Sequence, residues 1–140
     1  MHPTFRFPRF LVAVTLAAAL FVMTGCIRNA AVYNVTNAPV ATNANQRLDT
    51  DAVRDAILRA GNKLGWIMQT KADGHILGTL NLRAHQAVVD ITHTASTFNI
   101  AYKDSANLHY DAAKNQIHKN YNGWIKNLEH EIQIELNALK

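Results

Sequence analysis

Residues 66–103 read WIMQTKADGHILGTLNLRAHQAVVDITHTASTFNIAYK, and the alternation inside this stretch decides the fold. Trp66, Met68 and Thr70 recur at every second position, as do Ile76, Gly78 and Leu80, then Val89, Ile91 and His93, then Phe98, Ile100 and Tyr102. A period of two marks strands that cover one face and wet the other. Three turns divide the run: Ala72-Asp73-Gly74, Ala84-His85 and Ala95-Ser96. With these turns Met68 pairs with Gly78, Gly78 with Ile91, and Ile91 with Ile100. All the rows then lie on one face, and a slip of one residue in any hairpin would scatter them. The opposite face carries Gln69, Lys71, Thr79, Asn81, Arg83, Asp90, Thr92, Asn99 and Lys103, with Ile67, Leu77 and Val88 among them. The expectation is a four-stranded antiparallel meander, dry on one side. Ala84-His85 is its weakest turn, because it lacks the Gly or Asn that tight hairpins favour.

Helices flank this sheet. Val53, Ala56, Ile57, Ala60 and Leu64 form a stripe at three- and four-residue spacing. Asp49 or Thr50 can cap its start and Gly65 its end. Gly61 inside the pattern weakens it. A second stripe begins after Asn120 with Tyr121, Trp124, Ile125, Leu128, Ile132 and Leu136, opposite Lys126, Asn127 and His130. Between sheet and last helix, Leu108-His109-Tyr110 and Ile117-His118 suit a small hairpin. The fold class is therefore α+β, in two layers, with both helices on one face of the sheet. Residues 49–140 are expected to form one domain.

The first 26 residues have a different character. Arg6 and Arg9 precede an apolar run at 10–22, FLVAVTLAAALFV, and Met23-Thr24-Gly25-Cys26 follows. Basic flank, short apolar run and small residues make a signal peptide over 1–25, because the run is too short to span a bilayer. The four closing residues resemble the lipobox of bacterial lipoproteins, with Met23 where Leu is commoner. The resemblance implies lipidation of Cys26, cleavage before it and anchoring in a membrane. Several acyl chains make such an anchor stable. Cys26 is the single cysteine, so its alkylation would remove thiol chemistry from the protein. Ile27 and Arg28 stand where an inner-membrane retention signal would place Asp, which favours the outer membrane. Residues 26–48 read as a lipidated N-terminus and tether, with a short strand over 31–35 left open.

The formal charge is +4. Arg6 and Arg9 are the only charged residues before Cys26, so +2 remains after it. No basic run remains that would suit nucleic acid. The seven histidines are dispersed: His75 and His93 fall on opposite faces, and His93 reads as a core-edge packing residue. Only His109 and His118 become neighbours, if Tyr110 pairs with Ile117, and zinc needs three or four such ligands. Ser105 lacks the strained Gly context of a nucleophile. No phosphate loop or cofactor motif is present, so no metal, no cofactor and no enzymatic activity are expected. Asn107, Tyr110, His118, Asn120, Tyr121, Asn122 and Trp124 form the densest polar-aromatic cluster. Within it Asn107, Tyr110, His118 and Asn120 are the candidate ligand-binding residues, since long connections on a rigid scaffold commonly carry function. The plainer alternative is that the rings are helix core and the asparagines cap and turn.

AGNKLGW (60–66), LNLRAHQAVVDI (80–91), FNIAYKDSANLHYD (98–111) and IHKNYNGWIKNL (117–128) resemble a group of small proteobacterial lipoproteins without an established activity. The resemblance implies a shared fold and an envelope location, and assigns no functional residue. The preferred expectation is a non-catalytic envelope lipoprotein that binds an envelope protein or a cell-wall component. The alternatives are a structural or stress accessory protein without a small ligand, and a metal-binding or hydrolytic enzyme using His109 and His118.

Overall fold

The structure is a computed structural model that describes residues 28–40, 48–72 and 74–139. The expected signal segment and Cys26 lie outside the described residues. In chain order the elements are β1 (Asn29–Ala31), β2 (Val35–Pro39), α1 (Thr50–Lys63), β3 (Ile67–Thr70), β4 (His75–Leu82), β5 (His85–His93), β6 (Thr97–Ala106), β7 (Gln116–His118) and α2 (Lys119–Asn137). The class is α+β with antiparallel sheets. The main sheet has five strands in the order β2-β6-β5-β4-β3, and β1 pairs with β7 in a separate two-stranded sheet.

Two of the three expected hairpin registers are observed. Met68 faces Gly78 and Ile91 faces Ile100. The third differs: Gly78 faces Val89, not Ile91, and the turn is Arg83-Ala84. The displacement is two residues, so every side chain keeps its face. Local turn chemistry does not set this register, since Arg83 must itself adopt a left-handed backbone (φ +56°). Packing does: a Cβ on Gly78 would lie 3.0 Å from Val89 Cγ2 and 3.4 Å from the Trp66 ring. The glycine thus makes room for both. A bulge at the Val88/Val89 step then shifts β6 beyond Tyr102, so that Val88 faces Asp104 and Ala87 faces Ser105.

The fifth strand comes from the stretch expected to be a tether. Val35 pairs with Ile100 and Ala38 with Phe98, and Val35 and Val40 are buried in the core. Residues 28–40 therefore pack into the domain rather than lead to it. Asn122 on α2 holds this segment from the other side, accepting from the Tyr33 N–H at 3.0 Å and donating to the Ala31 carbonyl at 2.8 Å.

The dry face of the sheet (Ile76, Leu80, Ala87, Val89, Ile91, Phe98, Ile100) shares one core with the buried stripes of the two helices. Asp49 caps α1 through the Ala52 N–H at 2.6 Å. The helix ends in paired bonds from Trp66 N–H to Gly61 O and Gly65 N–H to Asn62 O, with Gly65 left-handed at φ +83°. Gly61 is buried where the helix meets β3, with no space for a Cβ beside Met68. Its cost in helix propensity is the condition for that close approach. Leu64, expected in the stripe, is exposed instead, because it is the capping residue. Trp124 is half-buried rather than core, while Tyr121, Ile125, Leu128, Ile132 and Leu136 are fully buried. Arg59 meets Glu135 and Lys63 meets Glu131; a step forward along α1 is a step back along α2, so the helices run antiparallel.

The inclusion of β2 is testable. Val35→Asp places an uncompensated charge in the core and should cost roughly 3–5 kcal/mol, read as a lower urea midpoint. Coincident unfolding curves for variant and parent would mean that residues 28–40 hang free.

Candidate functional site

The connection from Asp104 to Asn122 holds the four residues singled out for binding; the side chains of Asn107, Tyr110 and His118 are engaged within the fold, and Asn120 contributes its backbone N–H. Asn107 is left-handed at φ +57°. Its amide donates to the Ala84 carbonyl, and its own carbonyl meets His85 Nδ1 at 2.8 Å. Asn107 therefore clamps the β4–β5 turn that lacks good turn residues of its own. The Tyr110 ring lies 4.3 Å from that of Tyr102, which meets Tyr121 edge-on at 5.6 Å. His118 is the N-cap of α2, its Nδ1 accepting from the Asn120 N–H at 3.2 Å. The two sides of the connection do pair as a small hairpin, with Asp111 bridged to Gln116 and the His118 N–H bonded to the Leu108 carbonyl. Asn107, Tyr110, His118 and Asn120 do not line the cavity described next.

The other chemical candidates are similarly engaged. Ser105 Oγ pairs with the Tyr102 hydroxyl at 2.9 Å rather than with a histidine. Asp90 binds His75 at 2.8 Å and Lys103 at 2.8 Å on the wet face, a self-satisfied triad. Among the described residues no three His, Cys, Asp or Glu side chains are grouped as a metal ion would need. The Tyr121 hydroxyl is buried without a partner among those residues, and burial drives its pKa far above the ordinary value.

Elsewhere the described residues form an open cavity lined mainly by polar side chains. It lies between the first turn of α1 and the β3–β4 turn, encloses about 350 Å3, and is lined by Thr50, Asp51, Arg54, Thr70, Lys71 and His93, with Ala72 and Gly74 completing the turn side. His93 is 6% exposed, and neither ring nitrogen has a hydrogen-bond partner among the described residues. A buried imidazole normally satisfies both nitrogens. Gly74 brings the turn against the strand: it is left-handed (φ +71°), and an added Cβ would stand 2.8 Å from the His93 carbonyl oxygen. The His93 N–H donates to the Gly74 carbonyl at 2.8 Å, so the backbone beneath the ring is pinned. Sequence alone read His93 as a packing residue at the core edge, and the structure buries it there. The signal was a histidine in an inward row occupied elsewhere by apolar residues.

No protein-family model, curated protein or solved structure matches the chain. No helix among the described residues is long and apolar enough to cross a membrane.

Burial holds the His93 pKa below its ordinary value of 6.5, and the Arg54 charge lowers it further, against an opposing pull from Asp51. The folded chain therefore binds fewer protons than the unfolded chain just below 6.5. Stability contributed by neutral His93 is complete above that value and declines as pH falls through it toward the lower folded pKa. Acidification from about pH 7.5 to about pH 5 should lower the melting temperature of the parent more than that of His93→Gln. Equal losses would show that protonation of this ring is not resisted by the fold.

Proposed function

We propose that the protein is a lipid-anchored envelope protein with a non-catalytic binding role, and that it binds a small solute in the cavity beside His93. The observation that carries this reading is a cavity of ligand size lined by Thr50, Asp51, Arg54, Thr70, Lys71 and His93. Ligand pockets run from roughly 300 to 1,000 Å3, and about 350 Å3 suits a small metabolite. Nothing in the lining resembles an activated nucleophile: the hydroxyls are Thr50 and Thr70, and neither has a general base assigned to it. Anchoring rests on Met23-Thr24-Gly25-Cys26 behind the apolar run, and the absence of Asp after Cys26 favours the outer membrane.

Each half has its own test. Cys26→Ala should abolish incorporation of a palmitate analogue and block maturation; unchanged labelling would end the lipoprotein assignment. Thr70→Trp fills the cavity from its rim. Folded and exported normally, that variant should fail to complement a deletion strain. Full complementation would leave the cavity without a role and return the protein to the class of structural accessory proteins.

A further inference from the structure

We infer that one end of the domain, formed by the β4–β5 turn and the first turns of α2, is a docking face for an anionic phospholipid bilayer. Leu82 and Trp124 enter the headgroup region there, and Arg28, Arg83 and Lys119 meet the phosphates. This rests on the anchored half of the reading above and adds which face the domain turns to the membrane.

The apolar part of this face is exposed where the sheet outreaches its helices. Leu82 continues the dry row of Ile76 and Leu80 and pairs with His85, yet it is 46% exposed. The His85 ring stands 6.5 Å from that of the half-buried Trp124. A shallow crevice between Trp124, Leu80, Trp66 and Leu64 opens beside them. An indole next to leucine at a wet rim suits a headgroup region, which takes rings with one apolar and one polar edge. The chain also enters here. Arg28 opens the described segment, and its carbonyl accepts from the Lys119 N–H. Residues 1–27, with the apolar run at 10–22 and Cys26, therefore join the domain at this end.

Charge complements the apolar rim. Arg28, Arg83 and Lys119 are exposed, and among the described residues none of them has an acidic partner. Asp111 is taken by Lys114 at 3.1 Å, and Asp104 sits further down β6, opposite Val88. Glu131 and Glu135 lie far along α2, against Lys63 and Arg59. Two of the three cations are also ill-suited to the fold. Lys119 is the first residue of α2, with no acidic residue in that turn, where the helix dipole favours a carboxylate. Arg83 holds φ +56° in a hairpin turn that Asn or Gly would fill more easily. Local preference is overridden twice at one end, each time by a positive charge, which marks a requirement outside the fold. An anionic bilayer meets that requirement, because each Lys or Arg near such a surface adds attraction.

The protein purified from cells is reconstituted into vesicles of phosphatidylcholine, or of phosphatidylcholine mixed with phosphatidylglycerol. The acyl chains carry bromine near the headgroup, which quenches tryptophan emission on contact. Emission should be quenched in the anionic vesicles well beyond the neutral ones. Raising the salt from about 0.1 M to about 1 M shortens the screening length from about 10 Å to about 3 Å and should remove most of that quenching. Trp124→Phe leaves Trp66, which is 3% exposed, and should abolish it. Arg83→Asn combined with Lys119→Glu should abolish it too, yet melt no lower than the parent, since both changes suit the local backbone. Flotation with neutral vesicles reports the anchor separately. A parent that floats with neutral vesicles but is quenched no more in anionic ones would overturn the face, keep the anchor and leave the cations to an acidic protein partner. A parent that floats only with anionic vesicles, through Arg83 and Lys119, would keep the face and end the anchor. Flotation with neither would overturn both.

Discussion

One dry face governs this molecule. Ile76, Leu80, Val89, Ile91, Phe98 and Ile100 must all turn to the same side of the sheet and be covered there. In a strand, successive residues alternate between faces, so this requirement permits displacements of two residues and forbids displacements of one. The β4–β5 pairing uses that freedom, and the bulge at Val88/Val89 shifts only the β5–β6 pairing beyond Tyr102. The helices follow from the same demand. Their stripes seal the face, and Gly61 and Gly78 are the two places where backbone must yield so that Met68, Trp66 and Val89 fit beneath α1.

Periodicity therefore carried the class, the helix positions and the inward faces of the four central strands. It failed where a tertiary contact outweighed local chemistry. Arg83-Ala84 is a poor turn in isolation, and the bonds from Asn107, 23 residues away from Ala84, hold it. The strands β1 and β2 were hidden by a composition of Ala, Asn, Val and Thr that equally suits a linker. Their partners, β7 and β6, lie far along the chain. Trp124 sits on the apolar stripe yet at the rim of the core, and a helical wheel does not distinguish rim from centre.

The connection at 104–122 shows a related effect. Polar residues concentrated at 104–122 suggested recognition, but Asn107, His118 and Asn122 spend their hydrogen bonds on backbone. Buried backbone groups demand partners, and an irregular connection recruits side chains to provide them. Density of polar residues is thus a poor guide to function in a connection that must also be packed. The cavity at His93 draws instead on three separated segments: the start of α1, the β3–β4 turn and the end of β5. Each contributes one or a few ordinary residues, and only folding brings them together.

The pairing of β1 with β7 bears on how the protein would hang from a bilayer. Asn29 already faces His118, and the Arg28 carbonyl accepts from the Lys119 N–H at 3.0 Å. A lipid on Cys26 would be joined to that sheet by three residue steps, at most about 11 Å of fully extended chain. A domain on so short a leash would stay close to the bilayer that holds the lipid. It would ride against the headgroups with the start of α2 nearest the lipid, and any pull on the anchor would load the β1–β7 hydrogen bonds and the Asn122 clamp before it reached the main sheet.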